Sequence, residues 1–252
     1  MTGASAADLA VVIVNYNTGD WLGRCLASID AARGDIATEV VVIDNASDDG
    51  SADAAEAAGV RLIRNPANRY LSPAWNQGAA ETQAPYVLFL NPDTEWFTGT
   101  LADLVDVARA HPRAGIVGPM LRNPDGTAYP SGRRFPNLVN AVGHAFVSPV
   151  TRDNRFTRRY EMDGWDRTTE REVDWVSGAC MLFPRKAFDQ MGGFDEAFPM
   201  RMHNVADDFC VYTDFTGNVY GTVINCGLAG TESNRKVGLY AGGDFETQPI
   251  QP

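Results

Sequence analysis

Leu88-Phe89-Leu90-Asn91-Pro92-Asp93 is an apolar run that ends in a turn and a carboxylate. The run predicts a buried strand, and Asn91-Pro92 predicts its stop. In open α/β sheets, ligands bind beyond the carboxyl ends of the strands, which is where Asp93 would stand. Two earlier segments share this build. Leu9–Tyr16 reads Leu-Ala-Val-Val-Ile-Val-Asn-Tyr, and Val40–Asn45 reads Val-Val-Val-Ile-Asp-Asn. Strands of the buried type that each deliver polar groups at their last residues point to a ligand site on one sheet edge.

Helical spacing follows the strands. Trp21, Leu22, Cys25, Leu26 and Ile29 predict a helix after the Asn15–Gly19 turn, with Asp20 at its N-cap. Ala52–Ala58 predicts a second helix. Pro73–Thr82 predicts a third, opened by its proline, and Leu101–Ala110 a fourth, ended by Pro112. Val60–Ile63, Tyr86–Leu90 and Ala114–Val117 read as strands between them. After an irregular, arginine-rich stretch from Leu121 to Arg171, Val173–Phe183 predicts a strand interrupted by Gly178. A short helix follows over Arg185–Met191, and Val219–Asn225 reads as a late strand. The alternation predicts an α/β fold with a mostly parallel central sheet and helices on both faces.

The chain has 252 residues, 44% of them hydrophobic, enough for one large domain or two small ones. No apolar run approaches the roughly 20 residues that span a bilayer. Met1–Asp8 has no basic, apolar leader, so a cytoplasmic location is expected. The four cysteines, Cys25, Cys180, Cys210 and Cys226, are far apart and argue against a zinc site or a disulfide framework. The formal charge of −11 argues against nucleic acid as a partner. That charge is uneven: residues 122–171 hold 9 arginines against 6 acids. Such an island is either a solvated loop or a surface facing phosphate or an anionic membrane.

Asp44 and Asp93, at the ends of separate strands, suit a nucleotide. One carboxylate can accept the imide N–H of uracil or thymine. Another can hold Mg²⁺ or Mn²⁺ against a diphosphate, because these cations favour one or two carboxylates plus phosphate oxygens. The sequence lacks G-x-G-x-x-G after its first strand, a P-loop and G-x-S-x-G. That argues against a dinucleotide oxidoreductase, a P-loop enzyme and a serine hydrolase of the usual α/β type.

A more specific likeness comes from motifs in order. These are Val12-Ile13-Val14-Asn15-Tyr16-Asn17, Val42-Ile43-Asp44-Asn45-Ala46-Ser47-Asp48-Asp49-Gly50-Ser51, Leu88–Asp93 and Gly192-Gly193-Phe194-Asp195-Glu196. Together they resemble the family-two inverting glycosyltransferases of the GT-A fold. Arg122–Thr127, Pro130–Arg134 and Trp175–Cys180 make the chain similar, more narrowly, to bacterial rhamnosyltransferases of cell-wall linker and O-antigen assembly. The resemblance implies a GT-A domain over residues 1–198, with a nucleotide-sugar half (1–121) and an acceptor half (122–198). Residues 199–252 would then form a divergent or truncated C-terminal segment.

The resemblance also implies roles. Asn15, Asn17, Asp44, Asn45, Ser47, Asn68, Asn76 and Asn91 would bind the nucleotide-sugar. Asp93 would be the metal ligand, with Asn91 in place of the first acid of the family's Asp-x-Asp motif. Tyr70 occupies a position where the family usually has glycine. Trp175, Gly178, Arg133 and Arg134 would border the acceptor, as would Asp195, which would also be a catalytic residue. The general base would come from a Glu-Asp-x-Asp segment after Glu196. Without a gap Asn204 takes that position. An insertion of two residues puts Ala206 there and one of three puts Asp207 there, while His203 is a substitute. The expected function is transfer of a sugar, L-rhamnose from dTDP-L-rhamnose, to a glycan or polyprenyl-diphosphate-linked acceptor, with peripheral membrane contact. The alternatives are a protein that binds a nucleotide-sugar without transferring it, and a nucleotidyltransferase.

Overall fold

The computed structural model describes residues 7–123, 125–133, 165, 169–197, 222–226 and 238–241. The first half alternates as expected. Strand β1 (Leu9–Asn15) leads to helix α1 (Trp21–Ala31), β2 (Thr38–Asp44), α2 (Asp53–Ala57), β3 (Arg61–Arg64), α3 (Leu71–Ala80) and β4 (Tyr86–Leu90). Then come β5 (Thr94–Thr98), α4 (Leu101–Ala110), β6 (Ala114–Arg122), β7 (Ala128–Tyr129), β8 (Gly132–Arg133), β9 (Arg171–Val173), β10 (Trp175–Val176) and β11 (Cys180–Pro184). Helix α5 (Arg185–Met191) and strands β12 (Thr222–Cys226) and β13 (Gly238–Ala241) complete the described elements.

The main sheet runs β3-β2-β1-β4-β11-β6-β12-β9. Strands β3, β2, β1 and β4 are mutually parallel, and β11 lies antiparallel to β4 and β6. Every residue of β1 is buried, as in a central strand covered on both faces. Its side chains alternate between two cores. Leu9, Val11 and Ile13 pack with Leu22, Cys25, Leu26 and Ile29 of α1 and with Leu101 and Leu104 of α4. Val12 and Val14 pack with Leu71, Ala74 and Trp75 of α3 and Phe188 of α5. Gly78 of α3 lies so close to β1 that a Cβ there would stand 2.3 Å from a Val12 methyl.

Several local expectations need correction. Helix α3 begins at Leu71, two residues before Pro73. Its entry is set by Tyr70, whose N–H donates to Asn68 Oδ1 (2.8 Å) and whose carbonyl accepts from Asn45 (3.2 Å). Pro73 then falls in the first turn, where its missing N–H would have no helical partner anyway. Asp20 does precede α1, but its side chain makes no capping hydrogen bond. Strand β6 continues past Val117 to Arg122. The stretch around Gly178 is divided among β9, β10 and β11, with a turn between Val176 and Cys180. Strand β5 was not foreseen. Among the described residues no helix is long and apolar enough to cross a membrane.

Candidate functional site

The parallel register makes Asn15 the direct partner of Asp44, and Ile13 that of Leu90. Strands β1, β2 and β4 therefore end on one edge of the sheet, and the polar residues at the ends of β1 and β2 meet there.

Asn15 and Asp44 are buried. The Asn15 amide nitrogen donates to Asp44 Oδ1 at 2.8 Å, and Ser51 Oγ (2.9 Å) and Ser47 Oγ (3.0 Å) are within its reach. Asn15 Oδ1 accepts from the Thr18 hydroxyl at 2.5 Å. The Ser47 hydroxyl donates to Asp44 Oδ1 (2.6 Å), and the Ser47 N–H to Asp44 Oδ2 (3.2 Å). Buried polar groups that satisfy one another in this way make a rigid floor. The rim is tied to the floor: the Asn17 N–H donates to Ser47 Oγ (3.0 Å), and Asn17 Oδ1 accepts from the Asp48 N–H (3.0 Å). Asn17 takes φ 51°, in a left-handed region that asparagine tolerates. Asp49 accepts from Gly19 N–H (2.7 Å) and Ser51 N–H (2.9 Å). Burial pushes its carboxyl up, but the bonds from Ser51 and Gly19 outweigh this and lower it.

Asn45, also buried, opens a second amide chain. Its Oδ1 accepts from Asn65 Nδ2 (2.9 Å), and Asn65 exchanges two hydrogen bonds with Gln77 (3.1 Å each). Asn68 serves the Tyr70 backbone, as described above. Tyr70 itself adopts φ 66°, ψ −179°, a region reached almost only by glycine, so the loop keeps a glycine-like backbone although it carries a tyrosine.

The end of β4 is built differently. The Asn91 carbonyl accepts from the Thr94 hydroxyl (2.8 Å) and the Cys25 thiol (3.8 Å), which pins the turn that carries Asp93. Among the described residues, the Asp93 carboxylate is bonded only by its own backbone N–H, and the Asn91 side-chain amide by none. Burial raises the Asp93 carboxyl to about 6. Burial also pushes the Cys25 thiol up to about 12, with the negative charges of Asp93 and Glu95 adding to the effect.

Among the described residues no group of three or more His, Cys, Asp or Glu side chains is assembled to hold a metal. The residues present do fit a cation that arrives with a diphosphate, because Asp93 keeps its acceptor capacity and hard divalent cations take one carboxylate plus phosphate oxygens.

The other expected residues are dispersed. The amide of Asn76 is engaged with the turn after α5, not with the Asn15–Asp44 floor. Asp195 is exposed, and its Oδ1 accepts the Ala197 N–H at 2.8 Å. Gly178 is buried in the turn before β11. Arg133 is buried: its guanidinium donates to Pro130 O (2.8 Å) and Tyr129 Oη (3.2 Å) and lies 5.7 Å from the Tyr129 ring. The backbone of Trp175 pairs with that of Arg133. Arg134, His203, Asn204, Ala206 and Asp207 lie outside the described residues. Sequence reasoning missed Ser51, Thr18 and Asn65. Their signal was the need of buried Asn15 and Asn45 for partners.

Residues 10–192 match the profile described as Glycosyl transferase family 2. The chain belongs to that family. It is a glycosyltransferase of the GT-A fold. Over 210 residues it is 38% identical to the N-acetylglucosaminyl-diphospho-decaprenol L-rhamnosyltransferase of Mycobacterium tuberculosis, covering 78% of this chain and 68% of that one. Over 110 residues it is 34% identical to the succinoglycan biosynthesis protein ExoU of Rhizobium meliloti, covering 42% and 32%. The fold is also that of the mannosyltransferase PcManGT from Pyrobaculum calidifontis, solved with GDP-Man and Mn²⁺. The two share a TM-score of 0.52 and 21% identity over 77% of this chain and 49% of that one. S. aureus TarS has the same fold at TM-score 0.52 and 15% identity, over 77% and 52% of the two chains. The chain thus spans about half the length of these solved structures.

Proposed function

We propose that this glycosyltransferase moves L-rhamnose from dTDP-L-rhamnose to N-acetylglucosamine carried on a polyprenyl diphosphate, with inversion at the anomeric carbon. The observation that carries this reading is the 38% identity to the mycobacterial rhamnosyltransferase over 210 residues.

In this reading the Asn15–Asp44–Ser47 floor receives the nucleotide. Asp44 uses its remaining acceptor capacity on the imide N–H of the base. Asn17, Asn45 and Asn68 hold the surrounding loops in shape. Asp93, with Asn91 beside it, would hold a divalent metal, which when bound offsets the charge of the leaving diphosphate. In one displacement the acceptor hydroxyl oxygen bonds to the anomeric carbon as the bond to the diphosphate oxygen breaks and dTDP departs. The hydroxyl proton passes to a carboxylate from the segment after Glu196, assigned to Asp207, with Asp195 nearby. A positioned base of this kind is worth about 10²–10⁴-fold. Trp175, Gly178, Arg133 and Arg134 would border the acceptor. Because Arg133 is bound to Tyr129 and Pro130, it shapes this border, leaving Arg134 to meet phosphate. The protein would work in the cytoplasm, at the inner face of the membrane.

The test is direct. The purified chain, with Mn²⁺ or Mg²⁺, is incubated with dTDP-L-rhamnose and polyprenyl-diphospho-N-acetylglucosamine, and the linkage formed is assigned by NMR. The expected product carries rhamnose with its anomeric configuration inverted. Nucleotide binding without any product would sink the transferase reading in favour of a binding protein.

A further inference from the structure

Helix α3 carries two neighbouring amides that serve different parts of the molecule. Gln77 joins the Asn65–Asn45 chain beneath the nucleotide floor. Asn76, one residue earlier, joins the turn that follows α5. Its Nδ2 donates to Phe194 O (2.9 Å) and to Glu196 Oε1 (2.9 Å), while its Oδ1 accepts the Phe194 N–H (2.8 Å). One side-chain amide thus satisfies both backbone groups of a loop residue 118 positions away, as a neighbouring strand would.

The turn is shaped to accept that amide. Gly192 and Gly193 both take φ 81°, and their N–H groups return to the carbonyls of Asp189 and Phe188, closing α5. A Cβ on Gly193 would stand 2.8 Å from Asn76 Oδ1 and 3.3 Å from its Cγ. Glycine is required there for its backbone angle and for the approach of Asn76. The Phe194 ring completes the anchor, 5.0 Å from Trp75 of α3 and 4.8 Å from Phe89 of β4. Beyond this point the chain runs directly into Asp195 and the segment expected to carry the base.

We propose that Asn76 is a positioning residue: through Phe194 and Gly193 it sets the direction in which the chain leaves α5 into Asp195 and Glu196, while Gln77 beside it joins the Asn65–Asn45 chain. This rests on the transferase reading of the strand-end site. Loss of the clamp misplaces the groups that act on the acceptor while the floor stays intact, and a misplacement of about 1 Å can cost about 10²-fold in rate.

The experiment compares the wild-type chain with Asn76→Ala and Gly193→Ala. It measures kcat per folded molecule, the Kd for dTDP, and amide hydrogen exchange at Phe194. The proposal expects kcat to fall about 10–100-fold in both variants, with the dTDP Kd within about twofold of wild type and exchange at Phe194 about tenfold faster or more. An unchanged kcat, a dTDP affinity that falls in step with kcat, or unchanged exchange would overturn it. If the wild-type chain transfers no sugar, the transferase reading fails on its own. The clamp is then upheld by faster Phe194 exchange with unchanged dTDP affinity, and overturned by any other result.

Discussion

The β1–β2 edge and the β4 edge each end in a carboxylate, and the protein treats the two oppositely. Asp44 is buried and receives hydrogen bonds from Asn15 and from both the hydroxyl and the N–H of Ser47. Asp93, among the described residues, has only its own backbone N–H, and burial lifts its carboxyl to about 6. A charge supplied with donors helps to hold its loops together. A charge left without them is costly to the fold and is available to a ligand. The first edge is thus a preformed floor, and the second leaves a carboxylate whose acceptor capacity the proposed function assigns to a cation.

Removing each carboxyl charge should break the comparison in opposite directions. Asp93→Asn should have the largest effect, a loss of about 10²–10³-fold in transfer, the scale seen when one electrostatic partner of a transition state is removed. The same variant should be more stable at pH 7.5. Because the folded-state carboxyl lies above its ordinary 3.8, its contribution to stability is fully present below that pH and is lost as pH rises through about 6. At pH 7.5 the wild type carries the half-buried charge and the variant does not, so thermal melting should move upward. Asp44→Asn should do the reverse. Asn15 and Ser47 lose a charged acceptor, so melting should show a loss of about 1–3 kcal/mol, and calorimetry should show dTDP affinity reduced by about 10–100-fold.

A smaller effect separates the edges by pH. Metal-dependent dTDP affinity should rise by up to about tenfold per pH unit below about 6 and flatten above it, as Asp93 gives up its proton. The dependence should vanish in Asp93→Asn. The smallest effect is expected at Ser51, one of the acceptors near the Asn15 amide. Ser51→Ala should cost about 1 kcal/mol of stability by denaturant titration and leave transfer nearly unchanged.

Much of this contrast was legible in the sequence, because apolar β-branched runs that end in Asn15, Asp44 and Asp93 are a local signal. The rest depends on contacts between distant residues. That Asn15 faces Asp44 follows from the β1–β2 register, and no single segment encodes it. Ser51 lies 36 positions from the amide it serves, so reading the loop as merely polar could not assign it. Arg133 belonged to a charge run that suggested a surface, yet Tyr129 and Pro130 draw its guanidinium inward. The proline rule placed the start of α3 at Pro73, but the hydrogen bonds of Asn45 and Asn68 to the Tyr70 backbone start it earlier. Motif order put Asn76 beside the donor, whereas its amide is taken up by a turn that only the tertiary fold brings near.

The central claim is that Asp93, unlike Asp44, is the ligand for a cation that arrives with the nucleotide. It is tested most directly by titrating dTDP into the wild-type chain and into Asp93→Asn at pH 7.5, each with and without Mn²⁺. Mn²⁺ should tighten binding at least about tenfold in the wild type and leave the variant unchanged, the loss expected when a metal gives up its carboxylate. Equal tightening in both proteins, or none in the wild type, would contradict the account.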